Sequence, residues 1–255
     1  MTKRTSFQCI LALLWLLAGQ TISAQISVGV RAGFLIMNVD KSPLEQGEPT
    51  PQNIVGYQAA IPVEIAIGNM FAVQPEIMFG SHGGRQELEN TVAGELGSTT
   101  FSTFKSRYEV QTLEIPLLVK LKFGSNVLHF HVLAGPAFGF GVGGKYKQET
   151  YFRTTSSNGT VLFENSANDT YHAKFLKQGY DPKKLGDAEF AVTPTNINIH
   201  FGAGIGIDLG GPNLFLDARY MLGVTDFRPE ADGDTKDVSY KSKRIGVSLG
   251  IMFPM

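Results

Sequence analysis

The sequence predicts an all-β fold, an eight-stranded antiparallel transmembrane β-barrel with three short periplasmic turns and four long extracellular loops. Three observations predict it. Apolar residues recur at every second position over long stretches, the period of a strand and not of a helix. Connections between these stretches alternate between a few turn residues and long polar segments, the rhythm of outer-membrane barrels. The face opposite the apolar one holds Gly, Gln, His and nearly balanced charges instead of a coat of Lys and Glu. The apolar face is therefore expected to meet lipid and the polar face a narrow lumen. The competing fold, a soluble barrel around a greasy ligand, would turn its apolar face inward.

Residues 1–24 read as a signal peptide cleaved near Ala24. Lys3 and Arg4 give a positive start, Ile10 to Ala18 is apolar, and Ile22-Ser23-Ala24 reads as the cleavage site before Gln25. The apolar run is too short for a transmembrane helix, and no other stretch is long enough to be one. Cleavage would remove Cys9 and Trp15, the only Cys and Trp of the chain, and leave 20 basic residues against 23 acidic ones. Residues 25–255 then form the barrel domain. A net charge of -1 for the whole chain gives no basic field for nucleic acid.

The strands follow in order. A weaker alternation runs from Ile26 to Met37. Val55, Tyr57, Ala59, Ile61, Val63, Ile65 and Ile67 mark the second strand, and Phe71 to Gly80 the third. Leu113, Ile115, Leu117, Val119, Leu121 and Phe123 mark the fourth, with Tyr108 and Val110 out of phase, which a bulge near Gln111-Thr112 would explain. Leu128 to Val142 is the fifth. The sixth is the clearest: Ile197, Ile199, Phe201, Ala203, Ile205, Ile207 and Leu209 on one face, Asn196, Asn198, His200 and three glycines on the other. Leu214 to Val224 and Ile245 to Phe253 complete the set. Most are long enough to cross a bilayer at a tilt, which takes about 9–11 residues. Short turns fall at Gly68-Asn69, Gly124-Ser125-Asn126 and Gly210-Gly211-Pro212-Asn213. Long loops cover about Asn38 to Asn53, Ser81 to Ser106, Gly144 to Thr195 and Thr225 to Ser242, which places both termini on the short-turn, periplasmic side. Tyr57, Phe79 and Phe140 toward the loops and Phe71, Phe123 and Phe253 toward the turns suit two interfacial aromatic bands.

Several segments resemble the PorT-like outer-membrane β-barrel family of Bacteroidota, small barrels of the general build of OmpX and the OmpA membrane domain. They are Val28-Gly-Val-Arg-Ala-Gly33, Thr112-Leu-Glu-Ile-Pro-Leu-Leu-Val-Lys-Leu-Lys-Phe123, Ala134-Gly-Pro-Ala-Phe-Gly139, Gly202-Ala-Gly-Ile-Gly-Ile-Asp-Leu209 and Leu214-Phe-Leu-Asp-Ala-Arg-Tyr-Met-Leu-Gly223. The resemblance implies fold and bacterial outer-membrane location; some members take part in protein secretion, and no catalytic motif comes with it. Many barrels end in an aromatic residue, whereas here Pro254 and Met255 follow Phe253.

The expected lumen is a structural polar network of Arg31, Glu64, Glu76, Glu114, His129, His131, His200, Asp217, Arg219 and Arg244. Mixed charges pair across a small lumen, where unpaired ones would be costly. Eight strands leave room for side chains but no aqueous channel. His129, His131 and His200 share the lumen face without a Cys or carboxylate set to complete a metal site, so no metal or cofactor is expected. His82 is read as a solvated loop residue. Gly141-Val-Gly-Gly144-Lys145 lacks the strand-to-helix setting and the Lys-Ser/Thr ending of a phosphate loop. Glu230 to Asp237 is acidic but misses the calcium-loop spacing. The loop from Gly144 to Thr195 carries candidate recognition residues Tyr146, Tyr151, Phe152, Tyr171, Phe175 and Tyr180, which would either contact a partner or fold back as a cap. The expectation is a non-enzymatic structural or interaction protein whose partners are outer-membrane lipid and a protein met at the loops or in a secretion complex. An enzyme acting on lipid or peptide and a narrow channel are the alternatives.

Overall fold

A computed structural model describes residues 25–43, 49–125, 127–233 and 238–255. The signal peptide read over residues 1–24 and part of the acidic Glu230–Asp237 segment lie outside the described residues. Ten strands form one sheet: β1 (Ile26–Ser42), β2 (Ile54–Ile67), β3 (Phe71–Ala93), β4 (Thr99–Gly124), β5 (Leu128–Thr155), β6 (Val161–Phe175), β7 (Glu189–Val192), β8 (Thr195–Asp208), β9 (Asn213–Gly223) and β10 (Ser239–Pro254). Eight of them close a ring, each antiparallel to its neighbours: β1 pairs with β2 and β10, β3 with β4, β4 with β5, and β5 with β8. Closure leaves no open edge within the ring.

The ring is apolar outside and polar inside. Phe34 is 73% exposed while Arg31 is 2% exposed, the reverse of a soluble barrel. Val30, Ile61, Ile77, Leu117, Val119, Phe130, Leu216 and Leu249 face outward in the same way. The lumen is more apolar than its sequence pattern suggests. Leu35, Ala60, Met78 and Met221 form a buried cluster, and Leu118, Leu133 and Phe215 are also buried. Flexible Met side chains fill the gaps that paired charges leave.

The short connections after β2, β4 and β8 gather at one end of the ring, where Gly68 and Gly210 adopt positive φ as tight turns require. At the other end the expected architecture needs correction. The stretch from Ser81 to Ser106 is not loop: β3 continues to Ala93 and β4 starts at Thr99. The stretch from Gly144 to Thr195 holds the rest of β5, all of β6, and β7, which is parallel to β6. The described residues therefore hold ten strands in the sheet, of which eight close the ring as expected and β6 and β7 lie outside it. Apolar alternation reports which face meets lipid, so it ends where the lipid-facing belt ends even though the strands run on. The register shift does occur at Gln111/Thr112, but Val142 on β5 is the extra residue. Tyr108 and Val110 keep the phase of β4 and turn inward, away from lipid.

Close strand approach sets one sharp constraint. A Cβ on Gly135 would run into the Leu117 carbonyl oxygen and lie 3.0 Å from Leu118 Cα. Gly135→Val should therefore cost about 1–3 kcal/mol or more. The measurement is the folded fraction after refolding into lipid vesicles, read as the mobility difference between heated and unheated samples. An unchanged fraction would contradict this packing.

Candidate functional site

The lumen holds two ionic clusters and a charged mouth. In the first cluster Glu76 is clamped by two guanidinium groups. Arg31 Nη2 donates to Oε2 at 2.8 Å, and Arg219 donates from Nη1 to Oε2 at 2.9 Å and from Nη2 to Oε1 at 2.8 Å. Gln74 Nε2 adds a bond to Oε1 at 2.6 Å. Arg219 also donates to Asp217 Oδ2 at 2.8 Å, and His131 Nε2 lies 2.5 Å from Asp217 Oδ1. Four strands contribute to this group, β1, β3, β5 and β9, and each inward residue arrives by period-two alternation.

The second cluster centres on Glu114 of β4. Arg244 of β10 reaches it with Nη1 2.8 Å from Oε1 and Nη2 3.1 Å from Oε2. His82 Nε2 lies 2.7 Å from Oε1 and His200 Nε2 3.3 Å from Oε2. Thr112 Oγ1 is 3.1 Å from Oε1 and 2.9 Å from His82 Nε2. Along β3 Met78 stands between Glu76 and His82, so an apolar residue separates the clusters. At the short-turn mouth Glu64 accepts from Lys120 Nζ at 2.9 Å and Lys122 Nζ at 2.5 Å. A cavity of about 970 Å³ opens there, lined in part by Glu64, Lys122, His129 and Asp208.

Nine of the ten residues expected in the lumen thus take part in ionic contacts. His129 does not. It is half-buried at the mouth, and its ring lies 6.1 Å from that of His131. His82 corrects the opposite way. It is no loop residue but a buried one, and Ser242 Oγ lies 2.9 Å from its Nδ1. Its signal was present: His82 continues the inward series Gln74, Glu76, Met78, Gly80. Serine, imidazole and carboxylate stand here in the order of a nucleophilic triad. Arg244 already binds the carboxylate, and none of Ser242, His82 and Glu114 is more than 3% exposed. Among the described residues no three His, Cys, Asp or Glu side chains group as metal ligands do.

The long-loop end divides into a cap and a blade. In the cap, Tyr146 packs against Tyr171 at 5.5 Å and Phe190 at 6.0 Å, and Phe175 lies against Gly141. Tyr180 bridges to Ala231, and the Thr193 N–H donates to the Phe227 carbonyl at 2.8 Å. Phe227 stacks on Tyr108 at 5.3 Å, and burial holds the Tyr108 hydroxyl well above the usual phenol range. Lys174 and the Gly186 N–H both donate to Glu189, holding its carboxyl below the usual carboxylate range. The blade is the outward continuation of β3, β4 and β5 with the β6 hairpin. Tyr151 and Phe152 sit on it, with Tyr151 Oη donating to Glu164 at 2.7 Å. The candidate recognition residues therefore separate: Tyr146, Tyr171, Phe175 and Tyr180 serve the cap, while Tyr151 and Phe152 stand on the blade.

Comparison with known proteins places this geometry. Residues 18–228 match the family described as "Outer membrane protein beta-barrel domain". No curated protein matches the chain. Neisserial surface protein A is 10% identical, with 89% of this chain and 97% of that chain covered and a TM-score of 0.36. The N-terminal β-barrel domain of Pseudomonas aeruginosa OprF is 10% identical, covering 91% and 100%, with a TM-score of 0.33. Ail of Yersinia pestis is 13% identical, covering 89% and 98%, with a TM-score of 0.29. At scores this low none of the three is a guide to what the chain does.

The clamp makes a measurable demand. Glu76→Gln leaves Arg31 and Arg219 facing each other in the lumen, and should lower stability by about 3–5 kcal/mol, as loss of one partner of a buried pair does. Replacing the cluster together, with Arg31→Met, Glu76→Leu, Arg219→Met and Asp217→Asn so that no buried charge is left alone, should cost far less. Urea unfolding from vesicles compares the two variants. Equal losses would mean that the clamp is not a coupled unit.

Proposed function

The chain belongs to the family of outer membrane protein beta-barrel domains, and from that premise we propose that it is a non-enzymatic interaction protein with a plugged lumen. The short turns and termini face the periplasm and the blade faces outward. The single observation that carries the reading is the outer edge of β6. β7 pairs only with His172 to Phe175, so the backbone from Val161 to Tyr171 has β5 on one side and no strand on the other among the described residues. Val161, Leu162 and Phe163 are exposed there. Natural edges are usually blunted by Lys, Pro or a covering segment, and this one carries none of these. Such an edge binds an extended segment by strand addition. Its charged residues between Val161 and Tyr171 are Glu164 and Asp169, so the partner strand that fits best carries Lys or Arg.

The lumen supports the non-conducting part of the reading. Arg219, Arg244, Arg31, Glu76, Glu114 and His200 are all buried across its width, and eight strands leave no spare bore beside them. The PorT-like segments support a narrower version, an accessory of a protein secretion machine whose substrates or partner barrels meet the blade. Hydrolysis is the second reading, favoured by the order Ser242, His82, Glu114. The burial of all three speaks against substrate reaching it.

Alternate N–H groups of β6 point outward. Asn165→Pro and Ser166→Pro should therefore differ: one removes an outward donor and keeps the hairpin, the other breaks a bond to β5. The first should weaken capture of a basic, strand-forming peptide by at least about tenfold, since several main-chain bonds act together. Binding to immobilised protein in mild detergent measures it, and equal binding by both variants and the parent would remove the edge from the proposal. Loss of an esterase or peptidase activity in Ser242→Ala or His82→Ala would install the second reading. Unitary conductance of the parent in a planar bilayer would contradict the plug.

A further inference from the structure

Beyond the ring the blade has two faces, and charge tells them apart. Residues directly opposite one another on neighbouring antiparallel strands point to the same side. Three successive rows of four residues, from the row of Leu88 and Phe104 to the row of Val92 and Thr100, make one face across β3, β4, β5 and β6. No side chain in those rows is charged. The hydroxyls of Thr100 and Thr154, 3.0 Å apart, lie on this face. The reverse face of the same stretch carries Glu87, Glu89, Lys105, Glu149, Arg153 and Glu164. A solvated sheet has no reason of its own to keep one face free of charge, and an exposed patch of this kind marks a binding surface.

Three phenylalanines cross the uncharged face on the diagonal. Phe152 on β5 stands one row beyond Phe104 on β4, and Phe163 on β6 one row beyond Phe152. Diagonal neighbours in a sheet are about 7–8 Å apart, so the stripe is about 15 Å long. Each ring has a hydroxyl or amide directly beside it on the adjoining strand: Thr150 beside Phe104 in sequence order along the sheet, Ser102 and Asn165 beside Phe152, and Thr154 beside Phe163. Phe152 and Phe163 are exposed and Phe104 is half-buried. All four strands are paired through this stretch, so the rings are held in place before anything binds.

Position, area and chemistry together choose the occupant. Phe104 lies nine residues beyond Leu113 of the lipid-facing series on β4, which puts the stripe more than about 20 Å above the belt at a rise of about 3.3 Å per residue and a tilt near 40°. Lipid does not reach it. The face measures about 20 Å by 20 Å at about 4.8 Å per strand and 3.3 Å per residue. Those roughly 400 Å² are half of the roughly 800 Å² that each partner gives to a stable protein interface, too little for a second copy or a folded domain. A charged chain would find no opposite charge and would lose hydration. A narrow, uncharged chain with flat C–H surfaces edged by hydroxyls fits both the rings and the polar groups beside them, and a pyranose has that form. We propose that the stripe of Phe104, Phe152 and Phe163 binds a short uncharged oligosaccharide. The rings stack on the C–H faces of successive sugars, while Thr150, Ser102, Asn165 and Thr154 exchange hydrogen bonds with their hydroxyls. Stacking uses side chains of the face and strand addition uses main-chain groups of the β6 edge, so either can fail alone.

The test uses the full barrel in a detergent without a sugar headgroup. The probes are neutral tetrasaccharides of glucose, mannose, galactose, xylose and N-acetylglucosamine, with tetragalacturonic acid as the charged comparison. Binding is read by NMR titration of the sugar signals. At least one neutral probe should bind about tenfold or more above the acidic one, which has charge to desolvate. Phe152→Ser with Phe163→Ser should weaken that binding by about tenfold or more, since two stacking contacts go together, with folding checked by heat-shift mobility. Phe152→Ser alone, the milder change, should lose part of it, and Phe152→Tyr should retain it. Glu87→Gln with Lys105→Gln, an exposed pair on the reverse face of the same strands, should leave it unchanged. No neutral probe binding better than the acidic one, or unchanged affinity in the serine variants, overturns the proposal. A parent that is dimeric in this detergent and becomes monomeric in the double serine variant also overturns it, since the face would then belong to a second copy.

Discussion

Pairing of the first ring strand with the last is the constraint on which the rest of this structure depends. β1 and β10 stay in register from Ser27 opposite Pro254 to Ser42 opposite Ser239. Without that seam two strands would present unpaired N–H and C=O groups to hydrocarbon, where each costs several kcal/mol. With it, every residue of the ring must choose between lipid and the interior. That choice explains why Gly29, Gly33, Gly246 and Gly250 alternate along the seam. A Cβ at Gly33 would meet the backbone of β10, and one at Gly250 would meet Arg31 and Phe215. Space along the inner wall is reserved for a few large side chains from opposite strands.

Those large side chains are mostly charged, which is costly unless each charge is answered. The clusters answer them by sharing. Glu76 serves two arginines, Arg219 serves two carboxylates, and Glu114 receives Arg244 and two imidazoles. Because the partners sit on strands distant in sequence, such as Arg31 and Ser248 at 3.3 Å, the network also specifies which strands oppose one another. A register slip by one residue would send every one of these groups into lipid. Buried ion pairs are weak contributors to net stability, so their value here lies in making the wrong ring expensive.

Alternation made the ring legible, and it made the inward set legible too, since Arg31, Glu76, Glu114, Asp217, Arg219 and Arg244 all fall on the non-lipid phase. It could not show how far strands run beyond the lipid. From Gly83 to Ala93 and from Thr99 to Val110 both faces meet water or the cap, so polar and apolar residues mix and the period-two contrast disappears. Both strands nevertheless remain paired over that length. The same loss of contrast hid β6, which is exposed from Val161 to Thr170, and made His82 look like a loop residue because its chain neighbours Ser81 and Gly83 are not apolar. The mouth shows a different limit. Glu64, Lys120 and Lys122 were readable as inward or mouth charges, but nothing in spacing alone says that one carboxylate would bridge two lysines 56 and 58 residues away.

The division between cap and blade follows from where backbone hydrogen bonds can be left open. Inside the membrane no edge is allowed, so β3, β4, β5 and β8 must all be paired there. Above it water can satisfy an edge, and β8 begins only at Thr195 while β5 runs on to Thr155. β5 then exchanges partners: β8 pairs with it up to Phe140 and β6 from Lys145 upward. The extra residue Val142 lies at this exchange, where a bulge bends the strand and increases its twist. Just beyond it Tyr146 packs on Phe190 of the cap. An exposed edge is thus confined to the stretch beyond the apolar belt, where water can satisfy it, and every strand of the ring below stays paired.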